Sequence, residues 1–166
     1  MNNNKGFTLL ELMVVVGLIT VLAGLAAPEV KQWAASQRLS ASVRSIHSAF
    51  QLARLEAIKV GGDVVVAFSE GTGPSGTYAA FVDEDGDRVQ DTGERVIASG
   101  SLSNQVTIGS ARFDLGGTGT LDKLQTHFDS RGLTTGRNGE VRMTNVYGKA
   151  VRVVLNSAGN SRVEMM

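Results

Sequence analysis

The sequence has no cysteine. A disulfide staple and a thiolate metal site are both excluded, so any core must be held by packing alone. A sufficient core can dispense with disulfides outside the cytoplasm, so this absence does not argue for the cytoplasm. Only two prolines stand among 166 residues, against twenty glycines. That ratio excludes a Pro-rich linker and suits tight turns in a β-rich body. Net charge is lacking as well, because sixteen Lys and Arg balance sixteen Asp and Glu. No whole-chain charge draws the protein to nucleic acid or to an acidic surface. Catalytic signatures are equally scarce. No P-loop, dinucleotide fingerprint or zinc motif is present. The two histidines, His47 and His127, are not matched with any one serine and acid that the sequence singles out. Catalysis is not expected.

The balanced sum hides a pattern. Residues 29–59 carry five basic and two acidic groups, residues 69–95 seven acidic and two basic, and residues 120–166 seven basic and four acidic. One acidic stretch therefore lies between mildly basic ones.

Phe7 to Ala27 is an apolar run in which only Thr8, Glu11 and Thr20 are polar. As a helix it is roughly 31 Å long, about one hydrocarbon thickness. Lys5 on its leading side favours a cytoplasmic N-terminus. Glu11 is the exception in the run. A carboxylate near the bilayer centre costs roughly 2.5–3.5 kcal/mol on insertion scales, so such a group usually has a purpose. Pro28 follows and should kink or weaken the helix. Beyond it, Leu39, Val43, Ile46, Phe50, Ala53 and Ala57 recur at spacings of three and four, which makes one apolar stripe on a helix. Val60-Gly61-Gly62 supplies the stop. Trp33 and Lys31 fall near the expected membrane interface, where tryptophan is enriched. Packing of Trp33 on a sheet is the alternative.

After Gly62 the pattern changes to short, β-branched, glycine-punctuated runs. Nine candidate strands are Asp63–Ser69, Thr77–Val82, Arg95–Ser99, Gln105–Ile108, Arg112–Leu115, Gln125–Asp129, Glu140–Thr144, Lys149–Leu155 and Arg162–Met165. Val151, Val153 and Leu155 alternate with Arg152 and Val154, as a strand with one more buried face would.

Lys5-Gly6-Phe7-Thr8-Leu9-Leu10-Glu11, directly before an apolar helix, resembles the prepilin leader of type IV pilins and type II secretion pseudopilins. The resemblance implies cleavage between Gly6 and Phe7 by a prepilin peptidase, and N-methylation of Phe7. An ordinary secretory signal is cut after its apolar stretch; here the helix would remain. A neighbouring subunit's Phe7 amine would then neutralise Glu11 in the assembled filament.

The soluble part resembles the GspH/FimT family of minor pseudopilins and minor pilins, through Asp83-Glu84-Asp85-Gly86-Asp87, Gly93-Glu94-Arg95-Val96, Phe128-Asp129-Ser130-Arg131-Gly132, Val151–Asn156 and Gly159–Val163. This implies an α+β, pilin-like fold. A long N-terminal helix, transmembrane then amphipathic, packs on a β-rich domain of two antiparallel sheets. The expected organisation is a cleaved leader over 1–6, a span and filament-core helix over 7–27, an amphipathic helix over 28–62 and a β-rich periplasmic domain over 63–166. The implied role is a minor pseudopilin at or near the tip of a type II secretion pseudopilus, single-pass in the inner membrane. Its implied partners are other pilins or pseudopilins and an inner-membrane assembly platform. The alternative is a minor type IV pilin in pilus assembly or DNA uptake. DNA-binding members carry Gly-Arg-x-Arg near the C-terminus. Here the string is Gly159-Asn160-Ser161-Arg162, which keeps only the first and last positions. DNA contact would rest on Arg152 and Arg162, with Lys149 and Arg137.

The acidic loop has two readings. Counted from Asp83, carboxylates fall at positions one, three, five, nine and twelve: Asp83, Asp85, Asp87, Asp91 and Glu94. Hard oxygen ligands at that spacing suit calcium. An EF-hand places glycine at position six, where this chain has Arg88, so a solvated acidic turn is the other reading. No other cofactor is expected.

Overall fold

The computed structural model describes residues 7–70, 76–113, 124–134 and 138–166. The expected leader (1–6), Leu115 and Arg137 lie outside them. Helix α1 runs over Leu9–Val60 and passes through Pro28 as one element. A proline removes a single i→i−4 bond while the flanking turns keep theirs, so the helix is not ended there. Contacts divide the chain into two compact units, Met1–Ala34 and Ala35–Met166. In the first, every residue from Phe7 to Trp33 is exposed. The most apolar 18-residue window of α1 has a mean hydropathy of 2.5, and the helix is long and apolar enough to cross a membrane.

In the second unit the helix presents the stripe that its spacing predicts. Leu39, Val43, Ile46, Phe50, Ala53 and Ala57 are all buried, joined by Ala35, Ser42 and Ala49. The helix ends at Gly61, whose φ of 72° places it in the left-handed region. Its N–H donates to the Ala57 carbonyl at 2.9 Å, the single bond that closes a left-handed helix cap.

Eight strands follow: β1 (Asp63–Glu70), β2 (Gly76–Asp83), β3 (Val96–Ser101), β4 (Val106–Phe113), β5 (Gln125–Phe128), β6 (Gly139–Asn145), β7 (Ala150–Leu155) and β8 (Ser161–Met165). They form two four-stranded antiparallel sheets, in the orders β3-β2-β1-β5 and β4-β6-β7-β8. Two of the expected strands, Gln105–Ile108 and Arg112–Leu115, are one. Gly109 lies between them and reads as a break, but it sits in a bulge where the β4–β6 register shifts between Ile108 and Ser110. A bulge absorbs an extra residue without ending the strand. A second shift lies between Ala80 and Phe81 on the β2–β3 ladder.

One hydrophobic core joins the helix stripe to both sheets. Phe50 is its hinge point. Its ring meets Phe68 of β1 at 5.9 Å, Phe113 of β4 at 6.3 Å and Phe128 of β5 at 6.4 Å, all edge-on, a geometry that aromatic quadrupoles favour. Phe68 and Phe113 stack on each other at 5.8 Å, bridging the sheets. Removing the Phe50 ring leaves three rings facing a cavity. Phe50→Ala is expected to destabilise the full chain in detergent by about 3–5 kcal/mol, read as a lower urea midpoint; an unchanged midpoint would show that the ring is not central to the core.

Candidate functional site

Among the described residues, three places gather candidate functional groups. The first is the helix start. Thr8 is the N-cap: its carbonyl accepts the Leu12 N–H at 3.2 Å and its hydroxyl accepts the Glu11 N–H at 3.2 Å. Thr8-Leu9-Leu10-Glu11 has capping-box spacing, a signal that the sequence carried and that explains where the helix begins. Glu11 therefore occupies the first helical turn. Its charge meets the positive end of the helix dipole, which offsets part of the cost of an acid in an apolar run. A charge at the helix centre would have no such compensation. Thr20 donates its hydroxyl hydrogen to the Val16 carbonyl at 2.8 Å, which satisfies it within the helix. That leaves the Glu11 carboxylate as the polar group of residues 7–27 with no side-chain partner among the described residues. Phe7 precedes it, 85% exposed. Gly6 lies outside the described residues.

The second place is the turn between β2 and β3. One carboxylate oxygen each from Asp83, Asp85 and Asp87 lies within 4.8 Å of the others. Backbone N–H groups wind the turn around them. Gly86 donates to Asp83 Oδ1 at 2.8 Å, Asp87 to Asp85 Oδ1 at 3.2 Å and Val89 to Asp87 Oδ1 at 2.6 Å. Arg88, at position six, takes φ 64°, the left-handed conformation that glycine usually supplies there. Asp91 and Glu94 stand apart from the trio. Glu94 is a clamp, accepting the Glu84 N–H on Oε1 at 3.1 Å and the Asp91 N–H on Oε2 at 3.0 Å. The Asp91 carboxyl is pushed above its ordinary value, first by the Asp87 charge, then by burial and by Asp85 and Glu94. Sequence spacing missed one acid. Asp63 of β1 lies directly opposite Asp83 in the β1–β2 ladder, a pairing that only the strand register reveals.

The third place is the C-terminal hairpin, β7–β8. Arg152 donates to Glu164 at 2.7 Å and to Glu140 at 3.0 Å, while Arg162 pairs with Glu164 at 2.7 Å. The Glu164 bond, with Glu140 behind it, holds the Arg152 guanidinium charged above its ordinary value. Two arginines thus face two glutamates, and a phosphate would have to compete with both. Lys149 is exposed in the β6–β7 turn. Asn160 accepts a hydrogen bond from Arg54 of α1 at 2.6 Å. An arginine at position 160 would set like charges against each other. The same corner needs two glycines. A Cβ on Gly159 would stand 2.1 Å from the Gly132 carbonyl oxygen, and one on Gly132 would meet Ile58 at 2.8 Å. His47 bonds Ser161 at 3.0 Å and Gln51 at 3.2 Å, at the helix–sheet margin. His127 is buried in β5.

Asp129 builds the turn that carries Gly132. Burial opposes its ionisation, but the Leu133 N–H at 3.0 Å, the Arg131 guanidinium at 2.8 Å and the Arg131 N–H at 2.9 Å outweigh it and hold the carboxyl at about 2, against an ordinary 3.8. A depressed value means stability that is complete above about pH 4 and lost as pH falls through about 2. Asp129→Asn should therefore melt lower than the parent at pH 7, and the gap should close between about pH 4 and pH 2. Melting curves across that range check it; a constant gap would refute the assignment.

Comparison with known proteins bears on all three places. The family model for Type II transport protein GspH matches residues 42–159, which contain the acidic turn and the Asp129 corner. The model for the prokaryotic N-terminal methylation motif matches residues 1–27, which contain the Thr8–Glu11 cap. Pilin-like protein PilA1 of Thermus thermophilus is 32% identical over 161 residues, covering 96% of this chain and 98% of that protein. Two fimbrial proteins of Pseudomonas aeruginosa are each 38% identical over 65 residues, 39% of this chain and 42% of theirs. No solved structure gives a significant match. The exposed apolar helix carries Glu11 in its first turn and continues into a core shared by two antiparallel sheets, and by these matches the chain belongs to the type IV pilin-like GspH family.

Proposed function

We propose that this protein is a minor pseudopilin of a type II protein secretion system, a structural subunit at or near the pseudopilus tip. The observation that carries the reading is the Glu11 carboxylate. It has no side-chain partner among the described residues, and it lies on an exposed apolar helix within the matched methylation motif. A prepilin peptidase would cut between Gly6 and Phe7 and the new terminus would be methylated. The Phe7 amine of one subunit would then meet Glu11 of the next, satisfying the charge and setting register as some buried ion pairs do. Before assembly the chain would be single-pass in the inner membrane, N-terminus cytoplasmic, with the β-rich domain in the periplasm. An inner-membrane platform and a separate cytoplasmic ATPase would add it to the filament. Its role would be structural rather than enzymatic.

A minor type IV pilin, in pilus assembly or DNA uptake, is the second reading. The names of the relatives favour it, since they are a pilin-like protein and fimbrial proteins. The secretion reading is preferred because the GspH match spans most of the domain and because Arg152 and Arg162 are engaged by glutamates. Each phosphate contact that is missing weakens DNA binding and flattens its salt dependence. Salt-sensitive retention of DNA by the full chain, lost in Arg162→Ala, would favour the pilin.

Two substitutions test the assembly mechanism. Gly6→Val should leave the precursor uncut, since the peptidase needs a small residue at that position; mass spectrometry of the protein from cells reads it, and a mature mass would refute the cut site. Glu11→Val should insert in the membrane normally yet leave the neighbour's amine buried and unmatched. Removing one partner of a buried pair costs about 3–5 kcal/mol, more than a hundredfold in subunit incorporation. Filament fractions with normal content of the variant would show the pairing to be dispensable.

A further inference from the structure

The β2–β3 turn concentrates negative charge, with six carboxylates against Arg88 and Arg95, and Arg95 pairs with Glu56 of the helix. Asp83, Glu84, Asp85, Asp87, Asp91 and Glu94 crowd one turn, and Asp63 faces Asp83 across the ladder. Like charges directly opposite each other in a sheet are destabilising. Among the described residues, none of the trio Asp83, Asp85 and Asp87 makes an ion pair.

An acidic turn held open to water could bear that repulsion. Asp83 is not open to water. It is 7% exposed, and its Oδ2 is buried with no hydrogen-bond partner among the described residues. Leaving a buried acceptor unmatched costs free energy, and more so when it is charged. The other oxygen, Oδ1, takes the Gly86 N–H and so fixes the carboxylate in place. That carboxylate belongs to the trio whose oxygens lie within 4.8 Å of one another. An ion of calcium's size takes oxygens at about 2.3–2.6 Å, so oxygens on opposite sides of it stand about 5 Å apart. Three oxygens no farther apart than 4.8 Å can therefore share one such ion.

We propose that the turn between β2 and β3 is a calcium site, held by the carboxylates of Asp83, Asp85 and Asp87, with Asp83 the buried anchor and water completing the shell. Asp91 supports the ion from outside the trio through its charge, and Glu94 closes the turn through backbone bonds without contacting the metal. Magnesium fits less well, because it demands near-ideal octahedral geometry and gives up water reluctantly. The site would hold its ion whichever filament the chain enters, so it stands or falls apart from the secretion reading.

The test uses the full chain in detergent, stripped with chelator and titrated with calcium chloride by calorimetry and by thermal melting. One calcium per chain is expected, with a Kd of about 10⁻⁴ to 10⁻³ M, as for extracellular modules, and a rise in melting temperature. Asp85→Asn combined with Asp87→Asn changes exposed side chains only. It should fold, should melt above the stripped parent because repulsion is relieved, and should lose the calcium response. Absence of heat and of any melting shift up to about 10 mM calcium would overturn the site. So would an equal shift with magnesium or with sodium chloride at matched ionic strength, which would mean charge screening alone, or a full calcium response in the double variant.

Discussion

One stripe of helix is the wall on which two sheets close. Leu39, Val43, Ile46 and Phe50 face inward together, and the first sheet reaches them through β1 and β5, the second through β4. Each four-stranded sheet has one apolar face that must leave water, and neither can cover it alone. The stripe does this for both, with Phe50 in edge-on contact with three rings from two sheets. The strand register, the turns at the sheet ends and the position of Asp83 all follow from that shared burial. The same helix has no such cover over residues 7–33, where its apolar surface faces outward on every side.

What was legible in the sequence divides by range of interaction. The stripe could be read because helical periodicity is local, and Gly61 because a left-handed cap needs one residue. The alternation Val151, Val153, Leu155 could be read for the same reason. Gly109 misled because a bulge and a break look alike along the chain and differ only in whether the partner strand continues. The helix start was present as Thr8-Leu9-Leu10-Glu11, a local signal that the weight of the apolar run concealed. The opposition of Asp63 and Asp83, the bond from Arg54 to Asn160 and the contact of Gly159 with Gly132 could not be read at all. They join segments far apart in sequence, and their register is set by core packing. The acidic spacing picked out five carboxylates; the fold brings those of Asp83, Asp85 and Asp87 together and has Glu94 accept backbone N–H groups.

The charges sort into those that are answered within the chain and those that are not. Asp129 has Arg131, Arg152 and Arg162 share Glu164 and Glu140, and Arg95 and Lys59 converge on Glu56, whose carboxyl is held below its ordinary value chiefly by the Arg95 bond. Exposed pairs of this kind add little stability each. By contrast, the Glu11 carboxylate and the trio Asp83, Asp85 and Asp87 make no ion pair among the described residues. An unmatched charge in a folded chain is a demand on something outside it.

The rims of both sheets are blunted. In the first sheet β5 has four residues and β3 is bulged against β2; in the second β4 is bulged at Gly109, and β8 has five residues carrying Arg162 and Glu164. Short, kinked or charged edges resist docking of a foreign strand. Growth by cross-β stacking is thereby discouraged in a molecule that also displays a long greasy surface. The filament proposed above would then rest on helix-to-helix contacts made by side chains alone, which can be undone one subunit at a time without unravelling any backbone ladder.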